Sequence, residues 1–178
     1  FMLTGMRQGE VLGLRRMDVD LESKKITATH VLYRGRLLRG LKKHKRSRKP
    51  RQHQVQIPEM LEMVLRDHME SAPFQSPEDF LFHKTDGSPV DPDVFRSDVL
   101  YPALRQLGIP ILRRASGFHI FRHTAASLIN KETGNMKLSQ TQLGHANVQI
   151  TADVYTHVDE TQKKRAAEAL ERGVLGKL

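Results

Sequence analysis

The sequence predicts an α+β domain that is mainly α-helical with a small antiparallel β-sheet. Residues 24–33 are rich in β-branched side chains, and residues 52–58 alternate apolar with polar side chains, so both segments are predicted to be strands. A long basic stretch separates them, which favours a hairpin. Most other patterned segments have apolar residues at helical spacing. At 178 residues, the chain is long enough to bury the core of one domain.

The elements of the N-terminal half are predicted in order. Residues 7–14 form a short helix, because three apolar side chains occur close together after a polar start. Strand 24–33 then leads through the basic stretch to strand 52–58. Residues 58–71 form a helix that opens with Pro58, a favoured residue for the first helical position.

The C-terminal half is predicted to be almost entirely helical. Residues 79–84 form a short extended piece, and a helix over 91–109 is interrupted before Pro102. An amphipathic helix covers 118–134 and ends near a glycine. The remaining predicted elements are short helices over 138–145 and 148–158 and a tail helix from about Thr161.

Positive charge is concentrated in one segment. The chain has 29 Lys and Arg against 20 Asp and Glu, a formal net charge of +9. Residues 34–51 hold ten of these bases and no acid, so the rest of the chain is nearly neutral. A concentrated basic run is typical of a site for a polyanion, and the alternative is a solvated loop.

Composition also limits the protein's location. No apolar run approaches the roughly 20 residues needed to cross a bilayer, and the first residues do not resemble a secretory signal. The chain has no cysteine, which excludes disulfides and thiolate metal sites and fits a cytoplasmic protein. The chain opens on Phe1 inside an apolar pattern, so we expect an N-terminal part to be missing.

Three stretches carry a family resemblance. They are "TGMRQGEVLGL" (4–14), "HIFRH" (119–123) and "LGHANVQITADVYTH" (143–157). Together, and in this order, they resemble the signature boxes of the tyrosine recombinases, the phage integrase family. The resemblance implies that 1–178 is the catalytic domain, that 159–178 is a C-terminal tail helix, and that a helical core-binding domain precedes the fragment.

The residues in these stretches suit DNA strand exchange. A covalent phosphotyrosine stores the phosphodiester energy, and Tyr155 is the candidate nucleophile. Guanidinium groups match non-bridging phosphate oxygens and neutralise transition-state charge, and Arg7 and Arg122 match the two arginines of the family. By the resemblance, His119 assists proton transfer and His145 hydrogen-bonds a phosphate oxygen.

Two further roles follow from the resemblance. Glu10 matches an acidic position that supports the site from behind, and a hairpin lysine protonates the departing 5′ oxygen. The usual spacing falls on Ser47 or Arg48, so Lys45 is the choice, with Lys43 and Lys49 still possible. The basic stretch supplies the expected DNA contacts, which are Arg36, Lys42, Lys43, Arg46, Arg48 and Lys49.

Alternatives remain open for several residues. Tyr155 could be a packed tyrosine, Arg7 and Arg122 could pair with Glu10 or Asp153, and the two site histidines could be structural. Other residues are predicted to have no role in the site: Tyr33 and Tyr101 would pack, His123 would be structural, and the remaining histidines (30, 44, 53, 68, 83 and 157) show no shared metal spacing.

The resemblance implies a metal-independent site-specific recombinase or integrase in a prokaryotic cell. It needs no cofactor, acts on double-stranded DNA, and forms a homotetramer on that DNA through its C-terminal segment. The alternatives are type IB topoisomerase activity, in which a monomer relaxes supercoils, and a non-catalytic DNA-binding regulator or decayed integrase.

Overall fold

The computed structural model describes residues 1–40, 52–111 and 117–144. The fold is α+β, with small antiparallel sheets near the N-terminus followed by helices. The helices are α1 (Gln8–Leu12), α2 (Glu59–Ser71), α3 (Pro92–Phe95), α4 (Tyr101–Gln106), α5 (His119–Thr133) and α6 (Met136–Leu143), with a 3-10 turn at Arg16–Asp18 and a π-helical segment at Arg96–Leu100. The strands are β1 (Val19–Asp20), β2 (Lys25–Ala28), β3 (His30–Tyr33), β4 (Arg36–Arg39) and β5 (His53–Gln56).

The predicted strand 24–33 is two strands in two different sheets. β2 pairs with β1 and β5, whereas β3 pairs with β4, and all of these pairings are antiparallel. The break falls at Thr29, whose hydroxyl donates to Asp18 Oδ1 at 3.0 Å and whose carbonyl accepts from the Gly40 N–H at 2.8 Å. Thr29 belongs to neither strand, so the prediction of one continuous strand was wrong. The predicted pairing with 52–58 is confirmed, since Ile26 faces Val55.

The basic stretch contains strand β4, which its basic composition did not predict. Arg34 and Gly35 have φ of 49° and 72°, the left-handed geometry of a tight hairpin turn between β3 and β4. Tyr33 is 57% exposed, and the Arg34 guanidinium carbon lies 5.4 Å from the centre of its ring. The predicted packing role of Tyr33 was therefore wrong.

The main core joins α1, α2 and the three-stranded sheet. Its buried side chains come from every part of the N-terminal half: Met6, Val11, Leu14, Val19, Ile26, Ala28, Val55, Ile57, Leu65 and Leu81. α1 also lies directly against β3, because Gly9 brings no side chain there. A Cβ on Gly9 would meet the Leu32 carbonyl oxygen at 2.6 Å. This contact fixes the residues at the start of α1.

The predicted interruption of helix 91–109 is confirmed. The π-helical segment Arg96–Leu100 lies between α3 and α4 and ends two residues before Pro102, which has no N–H to donate to the helix ladder. Leu100, Leu104 and Phe118 form a second buried cluster, and Tyr101 packs against it. The predicted packing role of Tyr101 is thus confirmed.

Helices α5 and α6 form the C-terminal part of the described fold. α5 ends at Thr133, as predicted, and the Asn135 side chain caps α6 by accepting from the Leu138 N–H at 3.0 Å. α6 covers Met136–Leu143, not 138–145, since its cap lies earlier and the chain turns at Gly144. Pro58 likewise caps α2 instead of opening it. The predicted helices over 148–158 and from Thr161 lie outside the described residues.

None of the helices in the described ranges has the length and apolar character needed to span a membrane.

Candidate active site

Arg7 and Glu10 form a closed ion pair at the start of α1. Glu10 Oε2 accepts from the Arg7 backbone N–H at 3.0 Å, and Glu10 Oε1 accepts from Arg7 Nη1 at 2.9 Å. Only 1% of the Glu10 side chain is exposed, against 42% of the Arg7 side chain. The pairing that the sequence left as an alternative for Arg7 therefore exists, and it orients a guanidinium that still reaches the surface.

The carboxylate of Glu10 is held in its charged form. Burial by itself raises the pKa of Glu10, but the hydrogen bond and charge of His53, together with the bonds from Arg7, outweigh it and lower that pKa from 4.5 to about 2. A buried, ionised carboxylate is costly unless it is paired. Glu10 is paired on both oxygens.

Arg122 is a buried cation on the inner face of α5. Its Nη1 donates to the Gly5 carbonyl and its Nη2 to the Leu143 carbonyl, each at 2.6 Å. Burial, followed by the nearby charge of Arg7, lowers the pKa of Arg122 to about 10, so the group stays cationic near neutral pH. In the described part of the chain, Arg122 makes no salt bridge with a carboxylate. Arg7 and Arg122 thus bring more positive charge to this place than Glu10 neutralises.

Three consecutive carbonyls at the end of α6 accept from three different elements. Gln142 O accepts from His53 Nε2 at 2.8 Å, Leu143 O from Arg122 at 2.6 Å, and Gly144 O from Arg7 Nη2 at 3.4 Å. The last carbonyls of a helix have no partner within it and carry partial negative charge, so cationic donors stabilise them. The end of α6 therefore assembles β5, α5 and α1 around one point.

His53 is a member of this group that the sequence interpretation missed. It is 4% exposed, and its Nδ1 lies 2.8 Å from Glu10 Oε2. A signal for it was present, because the alternation that turns Val55 and Ile57 inward puts His53 on the same face. A histidine in an otherwise apolar row requires buried polar partners.

His119 and His123 lie one helical turn apart at the start of α5, with ring centres 6.5 Å apart. Burial and then the positive charges of His123, Arg122 and Arg7 lower the pKa of His119 below 6.5. A lowered pKa favours the neutral imidazole of His119, which is the form that can accept a proton. Its place beside Arg122 agrees with the predicted spacing.

The structure brings together Arg7, Glu10, Arg122 and His119 among the residues predicted for the site. Arg36 is exposed on β4, in the two-stranded sheet. The other predicted residues lie outside the described ranges: Lys42, Lys43, Lys45, Arg46, Arg48, Lys49, His145 and Tyr155. Within the described residues, no three His, Cys, Asp or Glu side chains are grouped so that they could hold a metal ion.

Two relatives resemble this chain over most of its length. It is 29% identical over 188 residues to a tyrosine recombinase XerC-like protein of Caldanaerobacter subterraneus subsp. tengcongensis, covering 94% of this chain and 46% of that protein. It is 30% identical over 179 residues to the integrase of Staphylococcus phage L54a, covering 96% of this chain and 49% of that protein. The chain thus spans about half the length of these relatives.

Solved structures show the same fold. The Tn1549 transposon integrase in complex with circular intermediate DNA superposes with a TM-score of 0.73 at 22% identity, covering 94% of this chain and 56% of that one. The XerH recombinase in a pre-cleavage complex with difH substrate gives a TM-score of 0.65 at 25% identity, covering 93% and 43%.

The model of the phage integrase family matches residues 1–162, which include every residue of the cluster around the end of α6. With nine-tenths of the sequence matched, this chain belongs to the phage integrase family.

Proposed function

We propose that this chain is the catalytic domain of a site-specific DNA recombinase, which cleaves and rejoins strands through a 3′-phosphotyrosyl intermediate on Tyr155. One observation carries the proposal. Arg7 and Arg122, from distant parts of the sequence, both donate to the end of α6, on carbonyls directly ahead of His145. A phosphate beside them would meet two guanidinium groups and, one residue further on, an imidazole.

The two arginines would bind and activate the scissile phosphate. A guanidinium carries five N–H donors, and the two bonds to carbonyls use two of those on Arg122. The exposed part of Arg7 and the remaining donors of Arg122 would bind the non-bridging oxygens and neutralise the charge that develops there. Glu10 would orient Arg7 without cancelling the charge of Arg122.

The chemical steps then balance without an external energy source. The Tyr155 oxygen attacks phosphorus, its proton passes to a base such as His119, and the bond to the 5′ oxygen breaks. Lys45, with Lys43 and Lys49 as alternatives, would protonate that oxygen, and His145 would donate to a phosphate oxygen. The 5′ hydroxyl of a second strand reverses the step. One phosphate ester replaces another, so no nucleotide cofactor is consumed.

The partners follow from the same proposal. Double-stranded DNA would bind along the basic residues of 34–51, through contacts to its phosphates. The segment 159–178 would dock on a neighbouring protomer in a homotetramer on DNA. The domain assignment, 1–178 preceded by a core-binding domain, is part of the proposal.

A suicide substrate tests the function. The full-length protein is incubated in EDTA with nicked duplexes from the DNA flanking its coding sequence, and products are resolved on a denaturing gel. We expect a covalent protein–DNA adduct that Tyr155→Phe abolishes while duplex binding persists. Binding without any adduct would instead indicate a DNA-binding regulator.

A further inference from the structure

We propose that His53 is a positioning residue of the strand-cleavage site, held as a doubly protonated imidazolium that links Glu10 to the end of α6. The proposal rests on the proposed function, because the groups that His53 positions are those assigned there to the phosphate. Its support comes from contacts of described residues alone.

The hydrogen count at His53 follows from its two partners. Nδ1 faces Glu10 Oε2 and Nε2 faces the Gln142 carbonyl, each at 2.8 Å. A backbone carbonyl only accepts, so Nε2 carries a hydrogen. Both Glu10 oxygens accept N–H groups of Arg7, and the pKa of Glu10 is lowered to about 2, so Glu10 is a carboxylate and Nδ1 donates to it as well. A neutral imidazole has a single N–H and cannot make both bonds.

The charges around the ring agree with a cation. Glu10 faces the ring from α1 and is itself bound by Arg7, Arg122 approaches the neighbouring carbonyl from α5, and the partner of His53 on β2 is Ala28. α6 contributes the partial negative charge of its last carbonyls. His53 therefore neutralises Glu10, and the pair adds no net charge to the place where the arginines would meet phosphate.

Packing joins His53 to the turn that leads to His145. Gly144 has a φ of 62°, and a Cβ built there would lie 2.9 Å from His53 Cδ2 and 3.0 Å from Nε2. The ring thus lies against the Gly144 backbone while it holds the Gln142 carbonyl. Through Glu10, the same ring fixes the carboxylate that orients Arg7. One side chain sets two of the groups proposed to bind the phosphate.

His53 also connects the site to the basic stretch. It is the first residue of β5, two residues after Arg51. The lysine candidates 43, 45 and 49 precede it on the same segment. Its bonds to α1 and α6 therefore hold the start of β5, the strand that follows these candidates in the sequence, against the site.

Two substitutions separate the bonds of His53. An asparagine amide can replace Nδ1 and a glutamine amide can replace Nε2, so His53→Asn keeps a donor to Glu10 and His53→Gln keeps a donor to the Gln142 carbonyl. His68→Asn is the matched control. His68 Nε2 donates to the Leu81 carbonyl at 2.7 Å from α2, so its loss removes a histidine-to-carbonyl bond outside the site.

The main measurement is the single-turnover rate constant of adduct formation at saturating nicked DNA. The amplitude of adduct formation, which reports the active fraction of the protein, and the Kd for duplex DNA are measured beside it. We expect both His53 variants to lower the rate constant at least about tenfold, with Kd within about twofold of wild type, and His68→Asn to leave the rate constant unchanged. A purely structural role would lower the amplitude and leave the rate constant unchanged, and that result would overturn the proposal.

A measurement without catalysis separates this inference from the proposed function. In ¹⁵N-histidine NMR spectra of the full-length protein near pH 7, we expect both ring nitrogens of His53, assigned with His53→Gln, to carry hydrogens. A ring with a single hydrogen overturns the imidazolium. Absence of adduct from the wild type overturns the proposed function and the positioning role with it, while the hydrogen count is still measured.

Discussion

Arg122 and Glu10 are opposite cases of how neighbouring groups pair with a buried charge. Arg122 is bound by two carbonyls and no carboxylate among the described residues, so its charge is held in place without being cancelled. Glu10 has the opposite arrangement, since both of its oxygens are occupied by donors. The carboxylate of Glu10 is therefore fully paired, and the positive charge of Arg122 is not neutralised by it.

Glu10 should make the free energy of unfolding depend on pH. Its pKa is about 2 in the folded chain against an ordinary 4.5, so its contribution is complete above about pH 4.5 and is lost as the pH falls toward 2. A difference of this size corresponds to a contribution on the order of 3 kcal/mol. We expect the free energy of unfolding in urea to differ most between wild type and Glu10→Gln near neutral pH, and the difference to narrow toward about pH 3.

Other carboxylates with lowered pKa, such as Asp20 and Asp91, are present in both proteins and cancel in this comparison. A gap between wild type and Glu10→Gln that stays constant from neutral to acidic pH would contradict the assignment of Glu10 as a paired, buried carboxylate.

Among the elements, the end of α6 has the largest consequence for the site. It stops at a left-handed glycine, and its final carbonyls are bound by β5, α5 and α1. Helix α5 stops in the same way at Gly134, whose φ is also 62°, but a Cβ there would meet nothing within 4 Å. The two glycines form a matched pair that differs only in what surrounds them.

Gly144→Ala should therefore cost more than Gly134→Ala. Both variants should lose about 1 kcal/mol of unfolding free energy, because an alanine is strained in the left-handed backbone conformation. Gly144→Ala must also displace the His53 ring from a 2.9 Å contact, so we expect its free energy of unfolding in urea to fall by about 1–3 kcal/mol more. Equal losses in the two variants would show that His53 does not pack against this turn.

The types of the elements were largely predictable from the sequence, whereas the division of residues 24–33 between two sheets was not. The periodicity of 58–71 and 118–134 determines helices α2 and α5, and the proline at 102 marks the interruption before α4. The division of residues 24–33 between two sheets falls at Thr29, whose hydroxyl bonds to Asp18, and such a contact between distant residues has no local sequence signal. Basic composition also hid β4, because a charge run resembles a loop whether or not its backbone is paired.

The residues of the site were also only partly predictable from the sequence. Motif spacing put Arg7, Glu10, His119 and Arg122 together, and in the structure Arg7 and Arg122 bind the end of α6, with Glu10 bonded to Arg7 and His119 one turn before His123 on the helix of Arg122. His53 carries no motif, and its role depends on a long-range bond to a backbone carbonyl, which periodicity can suggest only by turning the side chain inward.

At the scale of the whole molecule, charge distribution should govern DNA affinity. Residues 34–51 hold ten of the 29 bases. Each phosphate contact contributes about 0.9 to the slope of log affinity against log salt concentration. We expect Lys42→Gln with Lys43→Gln to reduce that slope by about 2. The control pair, Lys84→Gln with Arg105→Gln, removes two exposed bases outside the stretch and should leave the slope unchanged. Equal reductions would mean that affinity is spread over the surface.

The identity of the linked residue tests the central claim most directly. The adduct from the nicked duplex is digested with trypsin and nuclease, and the peptide bearing a nucleotide is identified by mass spectrometry. Cleavage after Lys137 and Lys163 yields residues 138–163, in which Tyr155 is the one tyrosine. We predict a 3′-linked nucleotide on Tyr155 of this peptide. A nucleotide on any other residue, or an adduct that persists in Tyr155→Phe, would contradict the account.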